Sequence, residues 1–450
     1  MNAKSVKISR ILHAGYVFDC AGVQIAFDPI FENPFSQNCY AFPNVAFDHD
    51  EVRSLRWSAI FISHFHDDHC SFDSLNFLDR NIPIYAYCQF PELFSWLKEL
   101  GFVNVHSLKI DQSVHVQSFE IIPRRALDVD VDSMFQIKVA GLNLLNVVDS
   151  WMDPETLQEL SQFSPWDMVL WPFQTLREIE VIAPSRATAS DGLLPTEWTQ
   201  QLQVLNPRYL VPSSCQFIHE SWSWYNQALF PISYRQFEGE IAKILPRSQV
   251  VRMNPGVTVE LDKSSMAESD SLSWVRPLGN QDVDYDYQSG AMYASTAEVS
   301  RNLGALSKVQ SEEVFAHCRS GLIQKFKSLE ISDDPYFKKK IFWRLSIFDH
   351  TGEARHFHYH IEGQSMVPVG ENDGVLSWTT EVPLSKFYSA LNAGESLTSM
   401  YLRVNDAVFT PDIEKEIHSV DISEDPLIRC LFTGVFGAYQ LAQLKRLKDL

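Results

Sequence analysis

His64-Phe65-His66-Asp67-Asp68-His69 concentrates three imidazoles and two carboxylates in six residues. The stretch directly follows Ser58-Ala59-Ile60-Phe61-Ile62-Ser63, a β-branched and aromatic run that reads as a buried strand. Such a strand presents the side chains that follow it at its carboxyl end, where open α/β sheets bind their ligands. In extended backbone alternate side chains point the same way, so His64 and His66 can grip one cation. Asp68 and His69 fall on the next turn, ahead of the helical stretch Phe72-Asp73-Ser74-Leu75-Asn76-Phe77-Leu78, and would face a second cation. Two adjacent divalent ions are the arrangement of two-metal hydrolytic sites. The density of ligands after a buried strand argues against a chance run of histidines in a surface loop.

With these residues in view, the chain resembles the metallo-β-lactamase superfamily. Val23-Gln24-Ile25-Ala26-Phe27-Asp28-Pro29 is similar to that superfamily's early strand, which ends in an aspartate and leaves Asp28 beneath the metal loop. Gly141-Leu142-Asn143-Leu144-Leu145-Asn146-Val147-Val148-Asp149 resembles a second buried strand ending in a carboxylate. The resemblance implies a four-layer αββα sandwich with metals at one edge of the paired sheets, and Asp149 as the bridge between them. A carboxylate suits that place because each oxygen can bind one cation. An N-cap role ahead of Asp153-Pro154-Glu155-Thr156 is the alternative for Asp149.

A closer similarity is to the metal-dependent half of the CMP-N-acetylneuraminate hydroxylase family. It is carried by the segment 62–69, by Asn146-Val147-Val148-Asp149-Ser150, by Tyr209-Leu210-Val211-Pro212, and by Asn254-Pro255-Gly256-Val257-Thr258-Val259-Glu260-Leu261. Together these span residues 6 to 262 in the right order. Hydroxylases of that family also carry a Rieske-type iron–sulfur domain, which needs paired Cys-x-His and Cys-x-x-His motifs. This sequence has neither.

Two further departures matter. Superfamily enzymes supply a third histidine shortly before the bridging-aspartate strand. Here the segment reads Pro123-Arg124-Arg125-Ala126-Leu127-Asp128-Val129-Asp130-Val131-Asp132-Ser133. Asp128 falls where the ligand is expected, and a carboxylate there shifts preference toward harder cations. Asp128, Asp130 and Asp132 read equally well as one polar face of an edge strand. The superfamily also places a late histidine just after a strand-end proline. Here Pro212-Ser213-Ser214-Cys215-Gln216-Phe217-Ile218-His219-Glu220 brings His219 several residues late, as a ligand or as a surface histidine. Cys215 is a second potential zinc ligand in this segment. Arg124 and Arg125 are either the partners of a substrate phosphate or carboxylate, or members of a solvated loop.

Behind the site, 450 residues predict more than one domain, and 45% hydrophobic content supports a sizeable core. A net charge of -20 excludes the basic surface that nonspecific nucleic-acid or anionic-membrane binding requires. The first ten residues lack the apolar core of a signal peptide, and no apolar run is long enough to span a membrane. Seven cysteines without CxxC spacing do not make a disulfide framework, so a cytoplasmic protein is expected. Residues 1–262 are read as the metal-binding domain, 263–310 as a linker, and 311–450 as a smaller α+β domain. That last part has a predicted helix over 311–326, a hairpin turning at Asp349-His350-Thr351-Gly352-Glu353, then strand, helix and strand, which resembles sterol-carrier-protein-like domains. A helix is expected within 428–450. His356, His358 and His360 alternate on one strand face, but i and i+4 lie about 13 Å apart, too far for one ion.

The residues thus predict a metal-dependent hydrolase of an ester, amide or phosphoester in a small molecule. It would hold two divalent ions, zinc first, with iron or manganese as alternatives. His64, His66 and Asp128 would take one ion, and Asp68, His69 and Asp149 the other, with Asp68 also orienting the water activated by the metals. An iron-dependent oxygenase served by an external reductase is the second reading. A binding protein with a degenerate metal site is the third.

Overall fold

The computed structural model describes residues 4–173, 181–184, 192–229, 232–288, 293–329, 340–371, 373–395, 399–404, 431 and 437–449. Its centre is a pair of mixed β-sheets. The first has eight strands in the order Met266–Ser269, Thr258–Asp262, Ser5–Arg10, Tyr16–Cys20, Val23–Phe27, Ala59–Ile62, Ile84–Ala86 and Val105–Ser107. The second has seven, from Gln249–Val250 through Tyr209–Pro212, Met168–Trp171, Leu142–Asn146, Ser133–Val139 and Phe119–Arg125 to Val114–Val116.

The sheets pack because each turns an apolar face to the other. Phe18, Phe27 and Phe61 of the first meet Phe135, Ile137, Leu144 and Leu170 of the second in one buried cluster. The Phe27 and Phe135 rings lie 5.0 Å apart. Helices cover the outer faces. Pro91–Glu99 packs its Leu93 and Leu97 on the first sheet, and Thr196–Leu205 and Tyr234–Ile244 pack Trp198, Leu202, Phe237 and Ile241 on the second. The result is a four-layer αββα sandwich.

Strand direction gathers the site. Val23–Phe27 and Ala59–Ile62 run parallel, so their carboxyl ends bring Asp28 beside Ser63. Leu142–Asn146, Met168–Trp171 and Tyr209–Pro212 are also parallel, which delivers Asp149 and the segment 213–215 to the same edge.

The C-terminal part has its own five-stranded sheet, Ser365–Pro368, Ala354–Glu362, Ile341–Phe348, Trp378–Pro383 and Arg403–Val404, with its own apolar cluster. The hairpin, strand, helix and strand follow in the expected order, with the helix at Leu384–Asn392. The expected helix over 311–326 is continuous from Lys308 to Ser328, with a π-helical turn at His317–Gly321. The Tyr359 hydroxyl donates to the Cys318 carbonyl within that turn, over 2.5 Å.

The stretch 263–310 is not a bare linker. Met266–Ser269 pairs with Thr258–Asp262, and Val275–Pro277 pairs with Val45–Phe47, so part of this polar stretch forms edge strands. The expected C-terminal helix is Ala438–Lys448, while 428–430 and 432–436 lie outside the described residues. It packs against Phe72–Leu75 and Pro91–Glu99 of the first sheet's outer layer. No helix among the described residues is long and apolar enough to cross a membrane.

Candidate metal centre

The loop 64–69 leaves the end of strand Ala59–Ile62 and closes a tight turn, with the His69 and Cys70 amides both donating to the His66 carbonyl. This turn brings His64 and His69 together, their rings 4.0 Å apart. Two groups of ligand atoms result: His64, His66 and Asp132 in one, and His13, Asp68, His69 and Asp149 in the other. Asp149 joins them. Its Oδ2 lies 3.1 Å from His69 Nε2, and its Oδ1 lies 3.9 Å from His64 Nε2.

Asp28 sets the tautomers. It is wholly buried, and its Oδ2 faces His69 Nδ1 at 3.1 Å, so that nitrogen keeps its proton and Nε2 is the nitrogen that can give one up to a cation. The Ser63 hydroxyl also donates to Asp28 Oδ2, over 2.6 Å. Ser63 Oγ can then only accept from His64 Nδ1, 2.9 Å away, which frees His64 Nε2 as well. Carboxylates behind imidazoles in this way raise the basicity of a metal-binding nitrogen. The Asp28 carbonyl is approached so closely that a Cβ on Gly15 would lie 2.7 Å from it, which accounts for glycine there.

His13 has the opposite tautomer. Its Nδ1 accepts the backbone N–H of Cys215 over 3.0 Å, so its proton sits on Nε2. That nitrogen is 3.1 Å from Asp68 Oδ2 and from His69 Nε2. A protonated nitrogen has no lone pair for a cation, so His13, although grouped with the ligands by distance, is a hydrogen-bond donor to them. Buried Arg10 holds its backbone, donating to the carbonyls of both His13 and Ser213 over 2.5 Å.

The charges are matched to cations. Burial lowers the pKa of His64 well below the usual imidazole value, with His69 adding to the effect. For His69, burial is outweighed by the Asp149 and Asp68 carboxylates, which raise its pKa well above that value. Burial, then Asp149, pushes Asp132 up to about 7. Asp149 moves well below the carboxylate range, because His69 and His64 overcome its burial. Asp132 Oδ1 and Asp149 Oδ1 are buried with no hydrogen-bond partner. Buried carboxylate oxygens without partners are costly unless a cation takes them, and these two face His64 Nε2 at 3.9 Å each. The donor set therefore fits divalent metal.

Backbone strain collects at the site. His13, Asp28, Val148 and Cys215 all take left-handed φ, at 52°, 39°, 63° and 62°. For β-branched Val148 this costs on the order of 1–3 kcal/mol. The Ser214 hydroxyl donates to the Val148 carbonyl over 2.7 Å and holds the turn that presents Asp149.

The structure thus brings His64, His66, Asp68, His69 and Asp149 together in these two groups. Asp128 does not join them. It is exposed, and its carbonyl accepts the Val131 and Asp132 amides in a turn. Four residues on, Asp132 lies beside His64 and His66, next to Ser133 whose hydroxyl donates to the Ser63 carbonyl. His219 is neither a surface residue nor in either ligand group. It is buried against Phe217 and Tyr225, and burial lowers its pKa to about 3. Cys215 contributes its backbone N–H, and its thiol lies in neither ligand group. Arg124 is paired with Asp111 and Gln136, and Arg125 with Asp153 and Glu155, so their guanidiniums serve the sheet edge and a helix start.

His13 was missed from the sequence. Its signal is a lone histidine in Leu12-His13-Ala14-Gly15-Tyr16, a tight turn between two strands.

No protein-family model and no curated protein matches this chain. Among solved structures it is similar to a metallo hydrolase from the hyperthermophilic archaeon Ignicoccus hospitalis. That match has 17% identity over 57% of this chain and 99% of the other, with a TM-score of 0.40. An isothiocyanate hydrolase from Delia radicum gut bacteria aligns at 14% identity over 57% and 99%, with a TM-score of 0.42. CmlA, a diiron beta-hydroxylase from Streptomyces venezuelae, aligns at 14% identity over 58% and 54%, with a TM-score of 0.39.

Proposed function

We propose that the chain is a metal-dependent hydrolase acting on an ester, amide or phosphoester of a small molecule. His64, His66 and Asp132 would hold one divalent ion, and Asp68, His69 and Asp149 the other, with Asp149 bridging. The observation that carries this reading is the pair of partnerless buried oxygens, Asp132 Oδ1 and Asp149 Oδ1, aimed at His64 Nε2. When bound, two such ions supply Lewis acidity and acidify water near neutral pH.

The chain's own residues do the rest. Asp28 and Ser63 fix the imidazoles so that no reorientation is needed when substrate arrives. Asp68 stays ionised, because His69 and His13 outweigh its burial, and with its side chain 24% exposed it can orient a water at the solvent side. His66 is exposed at the rim, so the site opens where Asp68 and His66 meet solvent.

Three carboxylates among six ligands also suit iron, which favours an oxygenase served by an external reductase as a second reading. Elemental analysis with activity assays tests both. Two zinc equivalents with hydrolysis of model esters or phosphoesters, both lost in His64→Ala with His66→Ala, support the hydrolase. Iron with oxygen consumption supports the second reading. Equal metal content in the parent and the double variant overturns the site.

A further inference from the structure

We propose that the C-terminal helix Ala438–Lys448 sets the metal loop, and that Gln440 is its positioning residue; this rests on the metal-centre reading above. Gln440 Nε2 donates to the Phe65 carbonyl over 2.6 Å and to the Cys70 carbonyl over 3.0 Å. Phe65 lies between His64 and His66, and Cys70 follows His69, so a single amide spans the ligand-bearing loop. Both of its N–H donors are used there, and Gln440 is 2% exposed.

One turn on, Gln443 holds the exit from the loop. Its Oε1 accepts the Phe72 amide over 2.7 Å, and its Nε2 donates to Ser71 Oγ at 3.0 Å and Asp73 Oδ2 at 3.1 Å. Residues three apart share a helix face, so this buried face turns two amide side chains toward the loop. Packing alone would favour apolar residues there, as Leu444 beside them shows. The helix start is fitted to its seat: Gly437 has φ 64°, and a Cβ on it would overlap the Trp96 ring.

A loop held at both ends presents His64, His66 and His69 in one arrangement, and a partner that orients metal ligands changes affinity by about 10- to 100-fold. Coupling of this kind is reciprocal: if the docked helix tightens zinc binding, zinc must protect the docked helix by the same factor.

The test uses the full chain and zinc ions. Gln440→Met keeps length and helix propensity but removes both donors, and should weaken zinc about 10- to 100-fold by chelator competition. Lys448→Met, which removes only the exposed pair with Glu99, should leave zinc affinity unchanged. In the unmutated chain, zinc should slow hydrogen exchange at the amides of 440–448, a measurement that stands even if Gln440→Met does not fold. Unchanged affinity in Gln440→Met, or unchanged exchange in the helix on zinc loading, overturns the clamp. A parent chain that binds zinc no better than His64→Ala with His66→Ala overturns the metal centre itself.

Discussion

His13 and His69 place their Nε2 atoms 3.1 Å apart with opposite partners behind them, since the Cys215 N–H donates to Nδ1 of the first and Nδ1 of the second donates to Asp28. Proximity alone would make both of them ligands. The hydrogen bonds behind them divide the roles: His69 can give up its Nε2 proton to a cation, and His13 offers its own to Asp68. His13→Gln, which keeps an N–H donor, should therefore retain two zinc equivalents by elemental analysis. His69→Gln should lose one. Loss of an equivalent from His13→Gln would make His13 a ligand and undo this division.

Asp132 and Asp128 can be separated in the same way. Asp132 Oδ1 is buried and faces His64, while Asp128 is exposed in the preceding turn. Asp132→Ala should weaken the ion held with His64 and His66 by more than 100-fold, since a charged ligand is removed. Asp128→Ala should change it by less than about threefold, a screened effect at an exposed charge. Equal losses in two-site chelator titrations would mean that the acidic stretch acts only through its summed charge.

Filling the centre should release protons. Asp132 is pushed up to about 7 by burial and Asp149, and the Asp149 and Asp68 carboxylates overcome burial to keep His69 protonated above its usual range. Both must lose a proton to bind a cation, whereas His64 is already neutral. At pH 7 zinc binding should expel more than one proton per chain. Near pH 8.5 Asp132 is already ionised, so the number should fall toward one. Affinity should accordingly weaken as pH drops below 7. Calorimetry in buffers of different ionisation enthalpy reads this directly, and a release independent of pH would remove Asp132 from the site.

How much of this was legible in the sequence follows from what each residue is anchored to. The loop 64–69 and Asp149 sit at the ends of buried apolar strands, so local pattern located them. Asp132 needed the register of the hairpin, in which Arg125 pairs with Ser133 and leaves 126–132 as a turn. A one-residue change of register moves every side chain to the other face, and the sequence carries no mark of it here. His13 lies 56 residues from His69, and it takes the pairing of four strands, Ser5–Arg10 through Ala59–Ile62, to bring it close. The two arginines looked available because their partners, Asp111 and Asp153, are defined by tertiary structure alone. Polar composition over 263–310 suggested a linker, but edge strands are polar for their own reason, since they limit unwanted pairing.

The most economical test of the site's construction lies behind it, at Asp28. One carboxylate oxygen, Oδ2, receives Ser63 Oγ at 2.6 Å and faces His69 Nδ1 at 3.1 Å, while Ser63 Oγ in turn accepts from His64 Nδ1. Asp28 thus orients a histidine of each proposed ion site, one directly and one through a hydroxyl. Asp28→Asn keeps the shape but loses the charge, and should weaken zinc at both positions by about 10- to 100-fold. Ser63→Ala breaks only the branch to His64, so it should weaken the ion held by His64, His66 and Asp132 and spare the other. Gly15→Ala should imitate Asp28→Asn, because its Cβ would press within 2.7 Å of the Asp28 carbonyl and shift that residue. Two-site zinc titrations of the three variants decide the matter. Parental affinities in Asp28→Asn, or equal weakening of both ions in Ser63→Ala, would show that the histidines take their orientation from the loop backbone and not from this shared carboxylate.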